Sequence, residues 1–205
     1  MNCLYEELYY AFNFFNKEFF NSELPEVIIT LERNYRIKGY FSSNRFISRI
    51  HANKKMHEIS LNPEYFGLYS VPEILSTLVH EMVHLEFYGS DKSQAKGYHS
   101  KKWASKMEQI GLLPTDTGHI GGNKTGYRIT QLIIPGGTFD KLSKEMIENG
   151  FNIPWKDNIE KEEIINGRKK NKRIKYTCKC GNNIWAKRGL IILCPECKSV
   201  YNENK

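Results

Sequence analysis

One pentapeptide constrains this chain more than any other feature. Residues 80–84 read His-Glu-Met-Val-His, an HExxH motif, within a segment whose apolar residues recur at helical spacing from Ile74 to Leu85. Ser70 with Pro72 is typical of a helix start, and Gly89 of a helix end. Residues four apart share one face of a helix, so the spacing predicts two imidazoles side by side on a buried helix.

This arrangement favours a metal-dependent hydrolase. His80 and His84 are suitable nitrogen ligands for Zn²⁺, and a catalytic zinc activates a bound water. Glu81 is offset from the ligand face, so we expect it to accept a proton as the general base and to leave the metal alone. Catalysis also requires an open coordination position, so the motif predicts three protein ligands and no fourth.

The third ligand must lie outside the motif. The longer pattern HExxHxxGxxH fails, because Phe87 and Ser90 stand where Gly and His are required. We favour His99, which we expect at the start of the next helix, a segment that ends at Gly111. A glutamate would also serve, and three further histidines are alternatives: His51, His57 and His119.

The remaining segments predict an α+β domain. One apolar helix face runs through residues 4–20, and short β-branched strands are expected over 26–31 and 57–62. Residues 35–50 predict one or two strands with a turn at Gly39. A further strand is expected over residues 127–134 and a helix over 138–149, and apart from His119 we assign no function to residues 113–166.

Length, hydropathy and charge limit the classes of protein to which this chain can belong. The 205 residues suffice for one domain and a small module, and no run of 18 apolar residues predicts a membrane span. The N-terminal segment lacks the basic region and cleavage site of a signal peptide. We therefore expect a cytoplasmic or nucleoid-associated protein that is not secreted and has no membrane partner. The net charge of +7 fits either a protein that binds polyanions such as nucleic acid or a soluble surface with Lys-rich loops.

Four of the five cysteines are close together near the C-terminus. They are Cys178, Cys180, Cys194 and Cys197. Short paired spacings and an odd total favour thiolate ligands of a structural Zn²⁺ over disulfides, although the first pair is C-x-C. The stretch 183–193 between the pairs is strand-like. We expect Cys3, the fifth, to be a small apolar core residue.

Several motifs, in order, resemble the SprT-like family, to which the DNA–protein crosslink protease Spartan belongs. The first helix ends in FNKEFFNSELP, a strand reading HEISLNP precedes the motif helix, and GYHSKKW follows it. The family's third-ligand motif usually reads Gly-His-Gly, and here Ser100 replaces the second Gly. The resemblance covers roughly residues 5–112. It implies a zincin-like α+β fold, three ligands in His80, His84 and His99, Glu81 as base, and a C-terminal zinc ribbon.

These observations predict three parts of the chain: a peptidase domain over 1–166, a basic linker over 167–175 and a zinc ribbon over 176–205. The expected substrate is an extended protein or peptide beside a strand between residues 40 and 61. Candidate substrate or transition-state contacts are Tyr88, Tyr98 and His119. Candidate DNA contacts are the basic and aromatic residues Arg168, Lys169, Lys170, Lys172, Arg173, Trp185, Lys187 and Arg188.

The resemblance further implies action on proteins attached to DNA, and activity that depends on DNA or a partner. Two alternatives stay open. The first is a DNA-binding or adaptor protein in which zinc is structural and nothing is hydrolysed. The second is a metal-dependent amidase with non-protein substrates. Glu81 favours an enzyme, because a purely structural site has no use for a carboxylate that is not a ligand.

Overall fold

A computed structural model describes residues 3–34, 36–90, 97–158 and 173–203. It confirms the α+β class: helices pack on a small mixed sheet, and a small antiparallel sheet near the C-terminus carries the four cysteines. The chain divides into two compact units, Met1–Ile159 and Glu160–Lys205. The helices are α1 (Leu4–Phe20), α2 (Val71–Phe87), α3 (Lys101–Ile110) and α4 (Thr138–Glu148). The strands are β1 (Val27–Leu31), β2 (Gly39–Ile47), β3 (Lys55–Leu61), β4 (Tyr98–His99), β5 (Leu112–Thr115), β6 (Gly126–Tyr127), β7 (Thr130–Ile133), β8 (Ile174–Thr177), β9 (Asn183–Ala186) and β10 (Asn202–Glu203).

Helix α2 is the centre of the first unit. It starts at a capping box in which the Ser70 amide donates to Glu73 Oε2 at 2.8 Å. Every residue from Ile74 to Val83 is buried, because α1, α3, α4 and the sheet all contact this helix. The HExxH motif therefore lies in the core, as the sequence predicts.

Strand β2 is an edge strand of the three-stranded sheet, whose order is β1-β3-β2. β1 pairs with β3 in parallel, and β2 pairs with β3 antiparallel. The β2–β3 register shifts between Ser42 and Phe46, where Asn44 adopts a left-handed backbone with φ 49°. The bulge lies in the strand that contacts α2, so it affects the surroundings of the motif.

The predicted turn at Gly39 is wrong. Gly39 is the first residue of β2, and a Cβ atom there would lie 2.8 Å from the carbonyl oxygen of Ser60 on β3. Glycine is needed here because the two backbones approach closely. The glycine that suggested a turn thus marks the point where the backbones of β2 and β3 approach each other closely.

Three other local expectations also need correction. His99 lies in β4, and α3 starts two residues later with the Ser100 hydroxyl accepting from the Trp103 amide at 3.2 Å. The strand expected over 127–134 is interrupted, because Arg128 has φ 59° and separates β6 from β7. Cys3 is exposed at the N-cap of α1 and is not in the core.

The second unit is a three-stranded antiparallel sheet with the order β10-β8-β9. Only the first residues of the strand-like stretch 183–193 form β9, because a turn with Gly189 at φ 81° follows. Its buried cluster consists of Tyr176, Cys178, Cys194 and Tyr201. A core this small contributes little folding free energy, so these residues need a further source of stability.

The longest helices described, α1 and α2, have 17 residues each. α2 is apolar because the domain encloses it, whereas α1 exposes Tyr5 and Tyr10 to solvent. Within the described residues, no helix has both the length and the apolar character needed to cross a bilayer.

Candidate metal centres

Three imidazoles converge on one point of the first unit. His80 and His84 come from α2 and His99 from β4, and one ligand atom of each lies within 4.8 Å of the others. The ring centroids are 4.7–5.1 Å apart. His51, His57, His119 and every described carboxylate lie outside this set. The alternative third ligands are thus not part of the cluster, and three histidines form it.

Hydrogen bonds orient two of the rings. His99 Nδ1 lies 3.0 Å from the carbonyl oxygen of Gly126, which only accepts, so Nδ1 carries the hydrogen. His80 Nδ1 lies 2.9 Å from Gln131 Oε1. Both rings therefore turn Nε2 toward the centre, as metal-binding histidines commonly do when the other nitrogen is hydrogen-bonded. Gly126 and Gln131 both come from residues 113–166, in which sequence reasoning assigned a role only to His119.

The donor set fits a zinc ion. His80 Nε2 and His99 Nε2 are 3.0 Å apart, and two unprotonated nitrogens so close repel each other unless a cation lies between them. Burial, with the neighbouring imidazoles, lowers the pKa of His80 well below its usual range and that of His84 to about 3. The rings are neutral at pH 7, which is the form that binds Zn²⁺.

Trp103 forms one wall of the cluster. Its ring centroid lies 4.7, 5.3 and 4.4 Å from those of His80, His84 and His99, and its side chain is completely buried. The indole restricts the rotation of all three ligands and excludes water from one side. Sequence reasoning assigned it no role, although its position only four residues after His99 is a usable signal.

Glu81 is buried beside the cluster but is not a member of it. Burial raises the pKa of its carboxyl group to about 8, and a hydrogen bond from the Phe41 amide partly opposes this rise. Phe41 belongs to the edge strand β2. The carboxylate is therefore held between the motif helix and the sheet edge, where it can exchange a proton with a group bound in the cleft.

Tyr88, one of three candidate substrate contacts, lies at the end of α2 against β2. Its ring packs on Phe41 and His57, with centroid distances of 5.9 and 5.0 Å. Asn44 links the same groups, because its side-chain amide donates to the Tyr88 hydroxyl and its backbone amide donates to His57 Nδ1, each at 3.0 Å. Tyr88 thus fixes the bulge at the sheet edge.

The other two candidate contacts have different surroundings. Tyr98 is the β4 partner of Tyr127, and their rings meet edge to face at 5.3 Å. Neighbouring residues of a strand point to opposite faces, so Tyr98 is directed away from the face that carries His99. His119 is exposed in a loop whose Thr115 hydroxyl donates to the His119 carbonyl at 2.7 Å. Their contact with a substrate stays a prediction.

The four cysteines form a second cluster. Their sulfur atoms lie within 4.8 Å of one another, with Cys178–Cys197 at 3.1 Å and Cys180–Cys194 at 3.7 Å. Tetrahedral zinc thiolates place sulfurs about 3.8 Å apart, so the C-x-C spacing does not prevent a four-sulfur site. A hydrogen bond from Ser199 lowers the pKa of the Cys197 thiol, whereas burial and the hydrogen bond to Cys197 raise the pKa of the Cys178 thiol. The two thiols therefore titrate as a pair, and a metal that binds both displaces their protons.

The candidate DNA-binding residues fall in two groups. Arg173, Trp185, Lys187 and Arg188 are exposed in the second unit, and Trp185 is paired across the strands with Lys175. An ion pair at 3.9 Å joins Arg188 to Glu203. Arg168, Lys169, Lys170 and Lys172 lie outside the described residues.

Comparison with known proteins agrees with this site. An uncharacterized protein encoded in the mucB 3′ region of Salmonella typhimurium is 49% identical over 45 residues, which are 22% of this chain and 61% of that protein. The chain thus spans less than two thirds of that relative. The profile of the SprT-like family matches residues 8–119, which include the three histidines and Glu81. Because the match covers more than half of the sequence, the chain belongs to the SprT-like family.

Proposed function

We propose that this protein is a zinc-dependent peptidase. The observation that carries the proposal is the separation of roles in the first unit: three neutral imidazoles converge, while the buried carboxylate of Glu81 lies outside the ligand set. A structural zinc site is normally closed by four protein ligands. Three histidines with a separate buried base favour hydrolysis over the alternative of an adaptor with structural zinc.

His80, His84 and His99 would hold the zinc ion, which supplies Lewis-acid polarisation and an activated water when bound. Glu81 accepts a proton at its carboxylate and returns it to the leaving amine. The Phe41 amide keeps this carboxylate oriented, and Trp103 excludes water from one side of the ligands. Without a metal, burial raises the pKa of Glu81 to about 8, and a cation held by the three histidines would lower it toward the carboxylate form that accepts a proton.

The substrate is proposed to be a protein segment in extended conformation. β2 pairs on one side with β3, and its opposite edge faces Glu81 through the Phe41 amide. An added strand along this edge would obtain backbone hydrogen bonds whatever its side chains are. The bulge at Asn44 interrupts regular pairing, so it would limit how far such a segment runs along β2.

A second part of the proposal is association with DNA. Residues 160–205 contain twelve Lys or Arg and five Asp or Glu, whereas the rest of the chain contains eighteen of each, so the whole net charge of +7 lies in this segment. Concentrated positive charge with an exposed Trp185 suits phosphate contacts and base stacking. The proposed targets are therefore proteins on DNA.

Replacing Glu81 by Gln tests the peptidase. We expect Glu81→Gln to retain zinc at the three-histidine site and to lose at least about 100-fold in hydrolysis of a fluorescent casein. Glu86→Gln is the matched control, because Glu86 lies on the same helix but pairs with Lys106 at 2.9 Å. Casein hydrolysis by Glu86→Gln should equal that of the original protein.

The same assay with and without single-stranded DNA separates the alternatives. DNA-stimulated hydrolysis that Glu81→Gln abolishes would support both parts of the proposal. Salt-dependent DNA binding with no hydrolysis of any protein substrate would instead favour the adaptor. Hydrolysis of small amides alone would favour the amidase.

A further inference from the structure

A chain of hydrogen bonds behind His80 runs back to the helix that carries this ligand. His80 Nδ1 lies 2.9 Å from Gln131 Oε1, Gln131 Nε2 donates to Ser76 Oγ at 2.9 Å, and Ser76 Oγ donates to the Glu73 carbonyl at 2.7 Å. Ser76 lies on α2 one turn before His80, and Gln131 lies on β7. The metal ligand is thus connected to its own helix through a residue 51 positions later.

The polarity of this chain is fixed from its far end. The Glu73 carbonyl only accepts, so the Ser76 hydroxyl must donate to it and offers a lone pair to Gln131. The Gln131 amide therefore presents its NH₂ group to Ser76 and its oxygen to His80. An oxygen facing Nδ1 requires hydrogen on Nδ1, which leaves the Nε2 lone pair free for a metal.

We propose that Gln131 and Ser76 are positioning residues that hold His80 in the metal-binding tautomer before any metal arrives. If the Gln131 amide rotated by 180°, its NH₂ group would face Nδ1 and favour hydrogen on Nε2, the nitrogen that points at His99. Zinc binding would then require loss of that hydrogen and rotation of a buried amide. Ser76 opposes this rotation through its hydrogen bond to Gln131 and forms none with His80 among the described residues.

His80 and His99 differ in the kind of acceptor that sets the tautomer of each ring. For His99 the acceptor is the Gly126 backbone carbonyl, which no side-chain substitution removes. For His80 the acceptor is a side chain, so its tautomer depends on the identity of residue 131. The inference rests on the proposed metal site but does not require that the site hydrolyse anything.

Two variants and one matched control test this chain of hydrogen bonds, which we call the relay and which runs from His80 through Gln131 and Ser76 to Glu73. Gln131→Met removes the acceptor while keeping an unbranched side chain, and Ser76→Ala frees the amide while leaving both His80 and Gln131 in place. Thr77→Val is the control, because the Thr77 hydroxyl donates to the same Glu73 carbonyl at 3.3 Å but, among the described residues, has no hydrogen bond to Gln131. Zinc affinity of the three-histidine site would be measured by competition with a chromophoric chelator while the four-cysteine site stays loaded.

The expected loss of zinc affinity is on the order of 10- to 100-fold for Gln131→Met, smaller for Ser76→Ala, and none for Thr77→Val. Ser76→Ala combined with Gln131→Met should be no worse than Gln131→Met alone. Imidazole ¹⁵N spectra without zinc in the histidine site should show Nδ1–H at His80 in the original protein and a tautomer mixture in both relay variants.

Equal affinities and an unchanged Nδ1–H spectrum in both relay variants would overturn the inference. Ser76→Ala keeps the test decisive if Gln131→Met fails to fold. A protein that shows these relay effects yet hydrolyses no substrate would contradict the proposed peptidase while leaving the relay intact, so the two failures are distinguishable.

Discussion

The backbone amide of Phe41 donates a hydrogen bond to the carboxylate of Glu81, and this bond joins the sheet edge to the motif helix at the proposed base. The contact links two parts of the mechanism. A substrate strand on β2 would lie next to the group that accepts the proton, and the bond partly offsets the unfavourable burial of a carboxylate. The proposed base is thus positioned by the strand that would receive the substrate.

The first prediction concerns stability without zinc. Folding raises the pKa of Glu81 from 4.5 to about 8 through burial, so between these pH values the folded protein holds a proton that the unfolded chain has lost. Stability due to this group therefore falls as pH rises from 4.5 to 8. Glu81→Gln removes this dependence. At pH 8 the free energy of unfolding of the metal-free variant should therefore exceed that of the metal-free original protein by up to roughly 4 kcal/mol.

Chemical unfolding of chelator-treated proteins at pH 5 and pH 8 checks this difference. The histidines contribute a change below pH 6.5, because their pKa values are lowered, but it cancels in the comparison of the two proteins. Glu86→Gln should keep the original pH dependence. If the free energies of unfolding of Glu81→Gln and the original protein differed by the same amount at both pH values, the raised pKa of Glu81 would be contradicted.

The second prediction identifies the third ligand. His99→Ala should reduce bound zinc from two to one per chain, because two imidazoles alone make a weak site. His119→Ala should leave two zinc ions bound, because His119 is exposed and outside the cluster. Elemental analysis after dialysis against a mild chelator measures both. Loss of zinc from His119→Ala would show that the third ligand is misassigned.

The third prediction concerns the bulge of β2. Asn44 and Asn53 both have left-handed backbones, with φ 49° and 63°, so alanine at either position should cost about 1 kcal/mol. Only the Asn44 side chain donates to the Tyr88 hydroxyl, so only Asn44→Ala should also raise KM for an extended peptide. Unfolding and steady-state kinetics on both variants measure this. Equal KM values would argue against substrate binding along β2.

The fourth prediction addresses the cysteine site. Cys180→Ser should remove one zinc per chain and increase amide hydrogen exchange in residues 174–203, because the small Tyr176 core depends on metal. Cys3→Ser, in the exposed residue before α1, should change neither quantity. Exchange that increases equally in α2 would mean that the two sites are not independent.

Local patterns predicted the motif helix and the residues of the two candidate metal clusters. Helix α2 could be predicted from the helical period of its apolar residues, its Ser70 cap and the spacing of His80 and His84, which are all properties of one segment. His99 could be predicted because it follows the motif closely in sequence, so the chain can fold back on the site. The cysteine pairs were equally visible, because metal ligands in small modules are close in sequence.

The supporting groups could not be predicted in this way. Gln131 reaches His80 across 51 positions, and Gly126 acts through a backbone carbonyl that has no sequence signature. Phe41 acts through its amide, which any residue except proline would supply. Gly39 was misinterpreted because a turn and a close approach of two strands both require glycine. Such contacts depend on tertiary packing, which periodicity does not describe.

Anomalous diffraction at the zinc edge from crystals of the full chain tests the central claim most directly. The predicted result is a peak about 2.0–2.1 Å from one nitrogen each of His80, His84 and His99, with the Glu81 carboxylate beyond bonding distance. A peak bound by Glu81 or by another fourth side chain, or no peak among the three imidazoles, would contradict the three-histidine hydrolytic site.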